Sequence, residues 1–300
     1  MTRSRPRIAM TVGDPAGIGP EIAQRAMTDP QVLEVCEPLL YGPADSRGFV
    51  VGQVSAEGGR AAYEAIVAAV RAARTGEIDG LATAPISKES FARAGLPWLG
   101  HTDLLAHLCG APRVAMLFHT ETFCVVLATV HVALREVPRL LTRERLAEVV
   151  QLTRDAMPDF GRERPRIACA GLNPHAGERG LMGQEDDEVI GPVVASMRAA
   201  GIDVVGPLPA DTVFVRASRG EFDVVVAAYH DQGLIPVKLL SFGKAVNVTI
   251  GLPIVRTSVD HGTAFDIAGR GVADPSSLIA AVRLAARLAR VRAARAVVGS

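Results

Sequence analysis

Apolar residues along the chain fall into two patterns that alternate. Short continuous runs rich in Val, Ile, Leu and Ala suit strands buried on both faces: Arg7–Val12, Ile78–Thr83, Val114–Phe118, Phe123–Val130, Arg166–Ala170, Phe222–Ala227 and Ala245–Ile250. Between them, apolar residues recur three or four apart, the spacing of one helix face. The clearest such stretches are Gly58–Thr75, Arg143–Met157, Glu188–Ala200 and Ser276–Val298. Ser276 follows Asp274-Pro275 and is placed to cap the last of these helices. Gly42–Gly59, rich in Gly and Ser, reads as a loop. Alternating strands and helices predict a layered α/β protein. No repeat period or low-complexity linker divides the chain, and charge with proline marks only a soft boundary near Thr142–Arg166. The expectation is a single catalytic domain over residues 1–300, two-lobed with a cleft between the lobes.

Composition narrows this. Aromatic residues are only 4% of the chain, so aliphatic side chains and alanine must fill the core. Lys plus Arg equals Asp plus Glu, at 32 each, and nucleic-acid binders carry a basic excess or stripe. The five arginines of Arg283–Arg295 alternate with Ala, Leu and Val and read as a solvated helix face. Cys36, Cys109, Cys124 and Cys169 have no metal-motif spacing, and buried free thiols in a reducing compartment account for them. The basic N-terminus has too short an apolar stretch for a signal peptide, and no run reaches membrane-spanning length. The expectation is a cytoplasmic enzyme with neither nucleic acid nor membrane as partner.

Three of the seven histidines share one context. His131 ends VVLATVH, His175 lies just beyond the strand in RIACAGLNPH, and His230 ends VVVAAYH. Ligands of open α/β sheets collect beyond the carboxyl ends of strands. Three imidazoles there could hold one divalent metal, zinc or another first-row ion rather than calcium. Taken singly, each is equally a histidine hydrogen-bonded at a strand end.

Other polar residues suggest an anion. Lys238, Asn247 and Arg256 are set among apolar neighbours, and a buried cation requires a counter-charge from Asp or from an anionic ligand. Lys244 reads as a surface cation. In Gly100-His101-Thr102-Asp103, Thr102 is a natural helix cap, while the amides of such a start also bind phosphate. The Gly13–Glu21 segment GDPAGIGPE superficially looks like a dinucleotide fingerprint, but GxGxxG is absent. A tight strand-to-helix turn serves at least as well.

These residues resemble the 4-hydroxythreonine-4-phosphate dehydrogenases of vitamin B6 synthesis. The blocks are GDPAGIGPE (Gly13–Glu21), APISK (Ala84–Lys88), GHT (Gly100–Thr102), ATVH (Ala128–His131), GLNPHAGE (Gly171–Glu178), GPLPADT (Gly206–Thr212), YHDQG (Tyr229–Gly233), GLPIVRTSVDHGTA (Gly251–Ala264) and DIAGRG (Asp266–Gly271). The resemblance implies the two-lobed layered α/β/α fold of the isocitrate/isopropylmalate dehydrogenase-like type. It implies His131, His175 and His230 as ligands of zinc, magnesium, manganese or cobalt, and His101, Thr102, Lys238, Asn247 and Arg256 as the grip on a phosphorylated hydroxy acid. His261, Gly262, Thr263, Ala264 and Asp266 would lie by the adenosine part of NAD or NADP. A homodimer sharing its active site is also implied. Lys88, Asp211 and Asp231 are the candidates for proton transfer, Asp211 alternatively orienting a ligand histidine. The reaction would be oxidation of 4-phosphohydroxy-L-threonine with decarboxylation. The region between Tyr41 and Ala61 is shorter than in the biosynthetic enzymes, which keeps open D-threonate or D-erythronate 4-phosphate, or an aromatic cis-dihydrodiol dicarboxylate, as substrate.

Overall fold

The continuous apolar runs fold as strands. The computed structural model describes residues 5–45, 48–241 and 243–298; Ser46 and Arg47, in the expected loop at 42–59, lie outside the described residues. In chain order come β1 (Arg7–Thr11), α1 (Gly19–Met27), α2 (Pro30–Val35), β2 (Glu37–Tyr41), α3 (Ala56–Arg74), β3 (Gly80–Thr83), α4 (Lys88–Arg93) and α5 (His101–Cys109). Next are β4 (Ala115–His119), β5 (Cys124–Leu127), α6 (Val137–Leu140), α7 (Arg143–Ala156), β6 (Ile167–Ala170), α8 (Gly191–Ala199), β7 (Val204–Leu208), α9 (Ala210–Ser218), β8 (Val224–Ala227) and α10 (His230–Ser241). The chain closes with β9 (Val246–Ile250), β10 (Arg256–Ser258) and α11 (Ser276–Val298).

These elements form two compact units, residues 1–112 with 246–300, and residues 113–245. The soft boundary read near Thr142–Arg166 is therefore inside the second unit, where α7 runs unbroken. In the first unit the strand order is β2-β1-β3-β10-β9, parallel except for the β10–β9 pair. Helix α11 packs on β3, β10, β1 and β9 through Leu278, Ala281, Val282, Ala285 and Ala286, while Arg283, Arg287 and Arg290 stay exposed. In the second unit the order is β4-β5-β8-β6-β7, parallel from β5 onward. Its core holds Phe123, Val125, Leu127, Ala168, Val213, Val225 and Leu234. All four cysteines are buried and unbridged; burial pushes the Cys169 thiol up to about 12. No helix among the described residues is long and apolar enough to cross a membrane.

All seven expected strands are present, and three others are added. β2 and β7 lie at the ends of the strand order and are only partly buried, so neither has a continuous apolar run. β10 is Arg-Thr-Ser, fully buried because its side chains bond inward: Thr257 Oγ1 donates to the Ala281 carbonyl and Ser258 Oγ to that of Thr83. Two helix starts are corrected. Ser276 does not cap α11; its own N–H and hydroxyl donate to Asp274 Oδ1. Gly58 and Gly59 belong to the first turns of α3, not to the preceding loop, and Ser55 Oγ caps that helix by accepting from Gly58 N–H.

Gly59 is required by a close approach. A Cβ there would stand 2.2 Å from the Ser90 carbonyl oxygen, where α3 meets α4. Helix propensity alone favours Ala over Gly by about 1 kcal/mol, but the clashing atom is backbone and moves only with α4. Gly59→Ala is expected to lower stability by about 1–3 kcal/mol, read from the denaturant midpoint; an unchanged midpoint would show that α4 retreats freely.

Candidate functional site

In the second unit, the strand-end loops beyond β5, β6 and β8 are tied together by hydrogen bonds. Thr129 Oγ1 donates to the Ala228 carbonyl at 2.8 Å. Gln232, buried, accepts from Ala228 N–H through Oε1 at 2.6 Å and donates through Nε2 to the Gly171 carbonyl at 2.7 Å. His131 and His230 rise from two of these loops with ring centroids 5.6 Å apart. Both line a cavity of about 270 Å³, with Thr129, Leu134, Tyr229 and Asp231. His230 Nδ1 is 2.7 Å from Asp231 Oδ1, which orients the ring and leaves Nε2 for another partner.

His175 does not join that cavity lining. It lies in the Pro174–Glu178 turn, exposed, and no group of three or more candidate metal-ligating side chains gathers among the described residues. The turn is wound in the left-handed region: His175, Ala176, Gly177, Glu178, Arg179 and Gly180 all have positive φ, as has His131 (49°). A non-glycine residue held there costs of order 1–3 kcal/mol. Asp186, fully buried, anchors the turn by accepting from the Leu172 and Asn173 N–H groups at 2.8 and 3.0 Å. His131 and His230, which line one cavity, are the residues that could hold a divalent ion there; His175 does not line it.

The first unit holds the anion candidates. Arg256 is 2% exposed, yet among the described residues no carboxylate pairs with it. Its Nη1 donates to Thr249 Oγ1 at 2.8 Å and Nη2 to Thr83 Oγ1 at 2.7 Å, both neutral hydroxyls. Its Nε has no partner, nor have the buried atoms His101 Nε2 and Asn247 Oδ1. Burial pushes the Arg256 guanidinium down to about 9. Burial first, then the Arg256 charge, holds the His101 imidazole well below its ordinary range, so it is neutral at pH 7. A buried cation without a counterion beside unpartnered polar atoms is the chemistry of an anion-binding site. Thr102 is the second residue of α5, not its cap. Asp103 performs the capping by accepting from the N–H groups of Gly100 and Leu99.

Lys238 departs from its reading. It is not beside buried strand sequence; it is exposed on α10, whose neighbours Ile235, Leu239 and Leu240 are themselves exposed. Periodicity hid this, since only Leu234 and Val237 of LIPVKLL face inward. Of the proton-transfer candidates, Lys88 starts α4 in the first unit, exposed, and Asp211 lies on α9 in the second, exposed. Asp231, not Asp211, is the carboxylate that meets a candidate histidine.

The GDPAGIGPE segment proves to be a packed turn. Asp14, fully buried, accepts from Ala16 N–H and from Ser90 Oγ. Gly17 N–H is taken by the Asp14 carbonyl and Ile18 N–H by that of Thr263. The amides of Ala16, Gly17 and Ile18 are therefore already engaged. Residues 259–275, which carry His261, Gly262, Thr263, Ala264 and Asp266, form neither helix nor strand. No atom lies within 4 Å of where a side chain at Gly262 would project, so a flat ligand group can reach the backbone. Asp14, Thr83, Asp186, Gln232 and Thr249 were not singled out by sequence; Thr83 and Thr249 are polar residues in apolar runs, while Asp186 is hidden in the charged run Glu185–Glu188.

The His101 shift has a consequence for acid stability. The unfolded chain takes up a proton near pH 6.5 and the folded one only well below it, so stability is full above 6.5 and falls as pH drops below that value. Between about pH 6.5 and 5 the loss from this group should be roughly 1–2 kcal/mol. His101→Gln should flatten that part of the profile in thermal or urea denaturation; parallel profiles for the two proteins would show that His101 protonates freely.

Residues 14–285 match the family described as pyridoxal phosphate biosynthetic protein PdxA. A 4-hydroxythreonine-4-phosphate dehydrogenase of Geobacter metallireducens is 45% identical over 332 residues, covering 97% of this chain and 98% of that protein. A Bradyrhizobium diazoefficiens protein named "Putative D-threonate 4-phosphate dehydrogenase" is 44% identical over 332 residues, covering 94% of this chain and 96% of its own. The crystal structure of a Klebsiella pneumoniae 4-hydroxythreonine-4-phosphate dehydrogenase superposes with a TM-score of 0.87 at 39% identity, over 96% of this chain and 99% of that one. A terephthalate 1,2-cis-dihydrodiol dehydrogenase from Burkholderia xenovorans gives 0.68 at 32% identity, over 94% and 98%. A β-decarboxylating dehydrogenase from Thermococcus kodakarensis, at 0.50 and 19% identity over 92% and 81%, shares the fold. The chain belongs to the pyridoxal phosphate biosynthetic protein PdxA family and is an oxidoreductase.

Proposed function

We propose that the chain oxidises 4-phosphohydroxy-L-threonine with NAD or NADP and a divalent metal, the keto acid then losing carbon dioxide. The observation that carries this is Arg256, a buried guanidinium with no carboxylate partner among the described residues and an unpartnered Nε, close enough to His101, whose Nε2 is also unpartnered, for its charge to act on that ring. A phosphate ester supplies the missing charge and several acceptor oxygens at once. In this reading Arg256, His101, Thr102, Asn247 and Lys238 grip the phosphate. His101, neutral at pH 7, donates one hydrogen bond without adding charge. His131 and His230 hold the metal, with His175 as the third ligand, and residues of both subunits of a homodimer build the site. When bound, the metal lowers the pKa of the substrate hydroxyl and stabilises negative charge. Asp231 fixes the His230 ring, which leaves Lys88 and Asp211 for proton transfer. Residues 261–266 take the adenosine part of the cofactor, placing the nicotinamide to accept hydride.

A second reading, oxidation of D-threonate or D-erythronate 4-phosphate, is kept by one observation. The Bradyrhizobium relative is as similar as the Geobacter enzyme, at 44% against 45%. The shortened region after Tyr41 does not separate them, because both alignments run over 332 residues against 300 in this chain. The dihydrodiol reading is not favoured: the terephthalate enzyme is the more distant structure, at 0.68 against 0.87.

A substrate panel under matched metal and cofactor tests the proposal. The highest kcat/KM is expected on 4-phosphohydroxy-L-threonine; a higher value on threonate or erythronate 4-phosphate would replace the substrate and leave the mechanism. Arg256→Ala should cost phosphorylated substrates roughly 2–5 kcal/mol in kcat/KM and unphosphorylated analogues little. His131→Ala and His230→Ala should each lower metal affinity by at least about 100-fold, measured by equilibrium dialysis. Retention of the metal by either variant would make that histidine structural.

A further inference from the structure

The GDPAGIGPE turn engages the irregular stretch 261–273 near both its ends. Ile18 N–H donates to the Thr263 carbonyl at 3.0 Å, and a Cβ at Gly17 would stand 2.9 Å from that same oxygen. One helical turn later, Glu21 does not bond back to its own helix start. Its Oε1 accepts from Ala273 N–H at 2.9 Å and its Oε2 from Gly271 N–H at 3.3 Å. Arg25 Nη1 donates to the Ala273 carbonyl at 2.6 Å. The stretch itself has few internal bonds, Ile267 N–H to Ala264 and Arg270 N–H to Ile267 among the backbone ones. Its shape is thus tied from outside, by Ile18 near its start and by Glu21 and Arg25 of α1 near its end. A loop held in its binding shape before the ligand arrives gives up less free energy on binding.

We propose that Glu21, with Arg25, is a positioning residue for the nicotinamide cofactor, holding residues 261–273 in the shape that receives it. The turn's glycines permit close seating of this loop instead of cradling a phosphate. Neither residue touches the cofactor, so the effect passes through the backbone of 271–273. The inference rests on the reading that residues 261–266 bind the cofactor.

The test is fluorescence titration of NADH without substrate, combined with hydrogen exchange of the free protein. Glu21→Ala should speed amide exchange in 261–273 and weaken NADH by about tenfold or more, the factor that loss of one charge-assisted hydrogen bond carries. KM for the cofactor should rise while KM for the hydroxy acid stays unchanged. Glu21→Gln, which keeps an acceptor oxygen, should recover most of the affinity, and it carries the test with Arg25→Met if Glu21→Ala does not fold. Faster exchange with unchanged NADH affinity would overturn the proposal, as would unchanged exchange. Asp266→Ala and His261→Ala separate the two readings. If the wild type binds NADH and these variants bind it equally well, the loop is not the cofactor site and the underlying reading fails.

Discussion

The buried guanidinium of Arg256 sets the terms for the rest of the first unit. Removing such a cation from water costs several kcal/mol even after relaxation, and its side-chain partners among the described residues are the hydroxyls of Thr83 and Thr249. A well-placed carboxylate would have stabilised the empty protein and cancelled the positive potential. Its absence leaves the charge available to a ligand, and the same field adds to burial in lowering the His101 imidazole. The short polar strand β10 follows from this: the side-chain bonds that Arg256, Thr257 and Ser258 donate are accepted on β3, β9 and α11, which lets all three be buried. Burying this cation costs stability locally, and the apolar packing of α11 over the strands offsets it.

The second unit spends strain instead of charge. His131 and the run from His175 to Gly180 are held at positive φ, a conformation that persists only when neighbours over-determine it. Those neighbours are present. Asp186 takes the amides of Leu172 and Asn173, and Gln232 bridges Ala228 to Gly171. Buried polar networks of this type keep one geometry because breaking any bond leaves a desolvated group unpaired. The loops that carry these histidines are therefore fixed by the buried side chains of Asp186 and Gln232.

The chain announced its sheets more clearly than its sites. The seven continuous apolar runs became strands, because a strand buried on both faces leaves its signature in every residue. β2 and β7, half exposed, and β10, polar throughout, left none. Arg256 and Asn247 stood out as polar residues among apolar ones, and the structure buries their unpartnered atoms. Lys238 stood out equally and is exposed, since an apolar stretch on a helix is sided in a way that its residue order alone does not reveal. The supporting residues Asp14, Asp186 and Gln232 were silent for a different reason. Their partners lie elsewhere in the chain, the Ser90 hydroxyl 76 residues from Asp14 and the Gly171 carbonyl 61 residues from Gln232, and no local pattern encodes such a partner.

The two glycine-bearing features of the first unit illustrate why motif spacing alone misleads. A glycine-rich strand-to-helix turn binds phosphate when its amides point outward, unoccupied, at the helix start. Here the glycines answer another demand. Gly13 stands where a Cβ would meet the Pro85 carbonyl oxygen at 2.1 Å, and Gly19 where one would meet that of Val12 at 1.8 Å. The amides between them are consumed by Asp14 and Thr263. Close packing of backbone on backbone and cradling of a ligand select the same residue. Only the hydrogen-bond partners of the intervening N–H groups distinguish them, and in this turn those partners belong to the protein.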